Sequence, residues 1–230
     1  MCIRDSDCIA ILNGFQTNDD MVIHDGDTIG IIKKGVMPPH EELESMMAAR
    51  HTPEVHERVK KARVAVCGLG GLGSNIAVML ARTGIGFLRL IDFDVVEPSN
   101  LNRQNYYVRH LGMFKTDALY EQIREINPFI QAEGVNARIT RENLAELLND
   151  CDYICEAFDN PEAKAMLAET VLTELPDKKL VCGSGMAGFE SSNRIETVKA
   201  LRNLYICGDS ESEARPGNGL MAPRVSVCAG

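Results

Sequence analysis

Residues 64–115 read VAVCGLGGLGSNIAVMLARTGIGFLRLIDFDVVEPSNLNRQNYYVRHLGMFK. The apolar run Arg63 to Cys67 has the character of a buried strand and ends on glycines at 68, 70, 71 and 73. Leu72 to Arg82 then has the character of a helix, and Phe87 to Ile91 forms a second apolar run. Strand, glycine turn, helix and strand together predict an α/β fold, with a Rossmann-like, mostly parallel sheet carrying helices on both faces. Working outward, Leu119, Ile123 and Ile126 mark a helix from Lys115 that Asn127-Pro128 stops. A third strand is expected over Ile130 to Ala137, a helix over Arg141 to Leu148 and a fourth strand over Tyr153 to Phe158. Asn160 and Pro161 suit the N-cap and first position of a helix reaching about Thr173. A fifth strand begins at Leu180.

The glycines at 68, 70, 71 and 73 let backbone amides approach a phosphate at the helix N-terminus. They equally suit a tight turn with no ligand. Asp92, at the end of the second strand, can accept ribose hydroxyls, whether the nucleotide is NAD or ATP. Arg103 and Lys115 separate those readings, because charge compensation at a triphosphate needs cations that hydride transfer does not. Lys115 alone could also be a solvated helix residue, although a cation there opposes the helix dipole. Asp159 falls at the carboxyl edge of the fourth strand, where a carboxylate could hold Mg²⁺ against phosphates or merely cap a helix.

Outside this core, Cys8 to Lys34 gives two short apolar runs, with GFQTNDD and HDGD bending the chain between them. Pro38-Pro39 interrupts, then HEELESMMAAR and PEVHERVKK have helical composition. The expected organisation is an appendage at 1–36, a helical linker at 37–62 and a nucleotide-binding domain at 63–230, cut short at its C-terminus. Past Gly183, IETVKA and LYICGD are short strand candidates and SESEARPGNGLMAPR has loop composition. The opening MCIRDSDC does not look native to the rest of the chain.

The 230 residues suffice for a full α/β core, and the formal charge of −9 argues against a broad nucleic-acid surface. No apolar run is long enough to cross a bilayer, so neither membrane nor nucleic acid is expected as a partner. The eight cysteines, at 2, 8, 67, 151, 155, 182, 207 and 228, form no CxxC pair. No structural zinc is therefore expected, and a reducing, cytoplasmic setting is.

Through GLGGLGS at 68–74, DFDVVEPSNLNRQ at 92–104, GMFK at 112–115 and EAFDN at 156–160, the chain resembles the ThiF/MoeB/E1-like superfamily of ATP-dependent adenylyltransferases. The resemblance covers residues 40 to 230 and looks most like the ThiF branch of thiamine biosynthesis. It implies ATP and Mg²⁺ as cofactors, with Asp92 at the ribose, Asn100, Arg103 and Lys115 at the nucleotide and its phosphates, and Asp159 at the metal. It also implies a homodimer in which an arginine, best matched by Arg50, reaches the partner's nucleotide. The expected substrate is the Gly-Gly terminus of a ThiS-like sulfur carrier protein, with a sulfur-donating protein as a further partner. AILNGFQTNDDMVIHDGDTIGIIKKG is itself similar to the last portion of such a β-grasp carrier, but IIKKGVMPP offers one glycine and no free terminus. Cys182, Cys207 and Cys228 are the cysteines placed to take part in sulfur transfer, and a structural role is the favoured reading of each. Rival readings are activation of a molybdopterin synthase small subunit or another carrier, a nucleotide-dependent oxidoreductase, and a carrier-binding module without catalysis.

Overall fold

The computed structural model of the chain describes residues 7–17, 20–51 and 53–230. It divides into two units, Met1–Lys61 and Ala62–Gly230. In the first, β1 (Cys8–Leu12), β2 (Phe15–Thr17) and β3 (Ile29–Lys33) form an antiparallel sheet in the order β2-β1-β3. The expected bend after β1 is a two-residue hairpin turn, with Asn13 and Gly14 both at positive φ (51° and 88°). That conformation matches the twist of the flanking strands and carries the chain into β2, a strand the polar reading of GFQTNDD missed. Asn18 and Asp19, from the same stretch, lie outside the described residues, as does the opening MCIRDS. Helices α1 (His40–Met47) and α2 (Pro53–Lys61) belong to this unit, joined through a 3₁₀ turn at Ala48–Arg50.

The second unit begins with β4 (Arg63–Cys67), α3 (Gly71–Thr83), β5 (Phe87–Asp92), α4 (Lys115–Ile126) and β6 (Gln131–Asn136). It continues through α5 (Arg141–Leu148), β7 (Tyr153–Glu156), α6 (Pro161–Glu174), β8 (Lys179–Gly183), β9 (Glu196–Lys199), β10 (Leu204–Gly208) and α7 (Ala222–Ala229). The strands form one sheet in the order β6-β5-β4-β7-β8-β10-β9, parallel throughout except for β9 at the edge. The α/β, mostly parallel architecture expected from the sequence is present, with a small antiparallel sheet before it.

From β4 the chain winds outward through β5 to β6, then returns to place β7 on the other side of β4. Right-handed crossovers running in opposite directions put their helices on opposite faces of the sheet. Ala65, Cys67 and Ile154 accordingly pack with Leu144, Leu148 and Leu167 of α5 and α6 in a buried cluster. Each fully buried leucine there contributes roughly 1.5–3 kcal/mol. Helix α3 ends on Gly84, left-handed at φ 84°, whose N–H closes the last turn on Leu80 and Ala81. The reversal of winding between β4 and β7 opens a crevice at their carboxyl ends. Among the described residues no helix is long and apolar enough to cross a membrane.

Candidate active site

The turn after β4 needs its glycines for different reasons. Gly68 sits at φ 89° and donates to the Ile91 carbonyl at 2.9 Å, and a Cβ on it would stand 3.0 Å from the Ala157 oxygen. A Cβ at Gly73 would lie 1.8 Å from the Gly68 oxygen, so close backbone packing alone demands glycine there. At Gly70 the nearest atom would be Gln104 Nε2, at 3.9 Å, and no side chain caps the helix that Gly70 begins. Space and unclaimed backbone amides therefore coincide at the head of α3.

Asp92, at the end of β5, is buried and accepts three backbone amides, from Leu69 at 2.6 Å, Phe93 at 2.7 Å and Asp94 at 2.9 Å. Its carboxylate fixes the glycine turn, and of about four acceptor positions one remains for a ligand hydroxyl. The segment after it folds into short 3₁₀ turns, the first closed by Asn100 Oδ1 accepting from the Glu97 N–H at 3.0 Å. Asn75 of α3 latches this segment, donating to the Arg103 carbonyl at 3.1 Å and accepting from Asn105 Nδ2 at 2.7 Å. The Tyr106 hydroxyl completes the latch on the Leu69 carbonyl at 2.8 Å. Arg103 donates from Nη1 to Ser99 and Asn102, while its Nε is buried without a partner among the described residues.

Lys115 occupies the first position of α4 with its side chain 8% exposed, and its ammonium lies 3.0 Å from Asp94 Oδ2. It is a desolvated cation, not a solvated helix residue. Asn160 caps α6 by accepting from the Ala163 N–H at 2.9 Å, which leaves the exposed Asp159 carboxylate free of that task. Behind it, Glu156 is buried and pairs with Lys164 at 2.9 Å, and Lys164 also donates to the Gly183 carbonyl at 3.0 Å. Burial pushes the Glu156 carboxyl up, against the pull of the Lys164 ammonium. The pair ties the ends of β7 and β8 to α6.

These elements enclose a cleft of about 170 Å³ lined by Gly68, Gly70, Asp92, Lys115 and Asp159, with Asp94, Phe93 and Arg138 among its other walls. Arg138 holds its guanidinium 4.0 Å over the Phe93 ring. Gly71, Gly73, Asn100 and Arg103 stand outside the lining, although Arg103 Cγ approaches to 3.6 Å of where a Gly71 Cβ would be. Arg50 lies in the first unit, donating to Gln16 Oε1 at 2.9 Å. Arg138, Asp94 and the Glu156–Lys164 pair were not anticipated. Asp94 had a signal in its place one residue beyond Phe93 of the quoted motif, whereas Arg138 reaches the cleft only because β6 lies beside β5.

Cys207 and Cys228 approach to 3.8 Å between sulfurs, and burial together with the adjacent Cys207 pushes the Cys228 thiol up to about 12. Burial likewise raises Cys182 to about 12, so both thiols are protonated and weakly nucleophilic near neutrality. No three His, Cys, Asp or Glu side chains gather as a metal site among the described residues.

The sequence profile of the ThiF family matches residues 43–228. The chain belongs to the ThiF family. A ThiS-like ubiquitin profile matches residues 2–35 of this ThiF-family chain. The molybdopterin-synthase adenylyltransferase of Haemophilus influenzae is 38% identical over 112 residues, covering 48% of the chain and 46% of that protein. The tRNA threonylcarbamoyladenosine dehydratase of the same organism is 34% identical over 141 residues, 60% of the chain and 54% of that protein. The chain thus spans about half the length of these relatives, and about a quarter of others it matches. Among solved structures, the Escherichia coli dehydratase TcdA in complex with ATP superposes with a TM-score of 0.73 at 24% identity, covering 84% of this chain and 92% of that one. At that identity the likeness speaks for the fold.

Two expectations about partners are corrected. Exclusion of nucleic acid fails, because proteins similar to this chain are named for a tRNA substrate. Net charge sums the whole surface and cannot forbid a local site for an anionic polymer. A separate ThiS-like carrier loses its support as well, since the ThiS-like match lies within this chain.

Proposed function

We propose that this ThiF-family chain uses ATP to adenylylate a carboxylate. The observation that carries the reading is Lys115, a buried ammonium at the head of a helix, where the dipole disfavours it, in the same cleft as an uncapped glycine turn. An anionic ligand would engage both the glycine-turn amides and the ammonium, beside the Asp94 carboxylate already paired with Lys115. The acceptor carboxylate oxygen would attack the α-phosphorus, forming the acyl-adenylate as the bond to the β-phosphate breaks and pyrophosphate leaves. An ionised carboxylate needs no general base, so positioning and charge compensation supply the rate. Lys115 and Arg103 would offset the phosphate charge, and Asp92 would orient the ribose through its remaining acceptor position. Asp159, which does not cap α6, would hold Mg²⁺, and the ion would supply further positive charge at the phosphates.

The favoured acceptor is a protein tail of the molybdopterin-synthase kind or that of another carrier, which the 38% identity to a molybdopterin-synthase adenylyltransferase supports. A second reading takes a tRNA-borne acceptor, because the dehydratase relative shares a longer stretch and a threonylcarbamoyl group itself ends in a carboxylate. A role restricted to thiamine biosynthesis has no support beyond the sequence resemblance. The test is ATP–pyrophosphate exchange with each acceptor class, followed by intact-mass detection of the AMP adduct. Exchange above the acceptor-free rate is expected with one class. Hydride transfer from a bound nicotinamide cofactor with no exchange would establish the oxidoreductase instead, and binding of an acceptor without AMP transfer would establish a noncatalytic module.

A further inference from the structure

Strand β10 and helix α7 meet along a seam where two pairs of side chains face each other. Asp209, just past the end of β10, pairs with Arg224 in the first turn of α7. Cys207 lies two residues before Asp209 and Cys228 about one helical turn after Arg224, so the same approach brings two thiols together. The Cys207 thiol donates to the Cys228 carbonyl at 3.2 Å and the Cys228 thiol to the Cys207 carbonyl at 3.4 Å, with 3.8 Å between the sulfurs. Both side chains belong to one apolar cluster with Leu72 and Ile76 of α3. A disulfide holds its sulfurs about 2 Å apart, and the remaining gap is within reach of side-chain rotation.

The two thiols differ in access. Cys228 is 4% exposed and burial keeps it protonated near neutrality, whereas Cys207 is partly exposed. An oxidant arriving from solvent therefore meets Cys207 first. Cys67, Cys151 and Cys155 are buried, and Cys8, also partly exposed, lies in the first unit.

We propose that Cys207 and Cys228 form a peroxide-sensitive modification site that closes to a disulfide and fastens α7 to β10. The Cys207 thiolate attacks one oxygen of hydrogen peroxide and the O–O bond breaks. That oxygen stays on sulfur as a sulfenic acid, and the other leaves as hydroxide, which recovers the Cys207 proton as water. The Cys228 sulfur then attacks the Cys207 sulfur, the S–O bond breaks, and the departing hydroxide takes the Cys228 proton as a second water. Two electrons pass from the sulfurs to one peroxide, and a dithiol returns them. Burial makes Cys228 a slow nucleophile toward solvent species, but its target is held one contact away. The closed bond would tie residues 208–227 into a ring and steady α7, whose Val225 rests on Gly71 at the head of α3. Neither cysteine lines the cleft, so this chemistry is independent of adenylyl transfer.

The test treats the full chain with hydrogen peroxide, blocks remaining thiols with N-ethylmaleimide in denaturant and digests with trypsin. Cleavage after Arg202 and Arg224, with the Arg215 bond protected by Pro216, places Cys207 in peptide 203–224 and Cys228 in peptide 225–230. The expected product is the two peptides joined, two hydrogens lighter than their sum, separated by dithiothreitol and formed within one chain on a non-reducing gel. Cys207 carried to sulfinic acid while Cys228 still takes maleimide would overturn the proposal, as would an unmodified Cys207 at doses that oxidise Cys8. The thermal midpoint is expected to rise on oxidation and fall back with dithiothreitol, which leaves methionine sulfoxide in place, and Cys228→Ala should abolish that reversible part. A wild-type midpoint with no reversible part would refute the fastening of α7, and the peptide map of the wild-type chain decides the matter if the variant does not fold.

Discussion

Lys115 shows how a single side chain can be tested apart from the fold it sits in. Its ammonium has been taken from water at the positive end of α4, with Asp94 as its ion-pair partner, and Asp94 is itself half-exposed. Lys115→Met would remove the charge and keep most of the apolar stem, leaving Asp94 able to solvate. Pyrophosphate exchange is expected to fall by about tenfold or more, with the thermal midpoint held or slightly raised. Arg103→Ala should lower exchange similarly. Unchanged exchange kinetics in both variants would remove the phosphate roles assigned to them.

At the scale of elements, α7 and the loop before it are joined by a buried ion pair. Arg224 and Asp209 have side chains 2% and 1% exposed and meet at 2.6 Å, and Arg224 also donates to the carbonyls of Glu190 and Ser191. Burial alone would raise the Asp209 carboxyl, but the Ser212 hydroxyl, the amides of Glu211 and Ser212 and the Arg224 guanidinium together hold it well below the usual carboxylate range. A depressed carboxyl stabilises the fold at pH values above its unfolded pKa, and that contribution is lost as pH falls toward the folded value. Asp209→Asn should therefore flatten the acid limb of the stability curve. Asp209→Ala, which strands Arg224, should cost about 3–5 kcal/mol in chemical denaturation. A loss below about 1 kcal/mol would show that the pair is not the clamp described.

The same scale shows what the chain's text reveals. Strands β4 and β5 and helices α3, α4 and α5 were legible because each carries apolar residues at one period, bounded by glycine, asparagine or proline. Strand β2 was not, since its three residues, Phe15–Thr17, bury almost nothing and are defined by backbone pairing with β1. Within the candidate site, Asp92 and Asp159 could be placed at the sheet's carboxyl edge from their positions after strands, whereas Lys115 was read at the start of a helix and tied to the phosphates by the family resemblance. Arg138 could not, because its approach to Phe93 depends on the order of strands. Glu156 and Lys164 meet across a strand and a helix, a pairing without a spacing rule.

Across the whole molecule, stability is unevenly distributed. The first unit contributes Ala10 and Ile11 to the buried apolar residues, and α1 buries none, whereas the second holds fully buried side chains on β4, β5, α4, α5 and α6. Local opening costs least where few apolar contacts resist it. In hydrogen exchange followed by mass spectrometry, peptides spanning 40–47 should exchange in seconds while those covering 64–67 and 88–91 persist far longer. Comparable protection in the two regions would contradict this gradient.

The cleft draws its walls from residues 68 to 163, and the chain from Ser184 onward supplies none of them. That later stretch touches the glycine turn through α7, where Val225 Cγ1 comes within 3.3 Å of a Cβ position on Gly71. A substitution in the final fifth of the sequence therefore leaves every wall of the cleft unchanged in identity, and is felt at the glycine turn through α7.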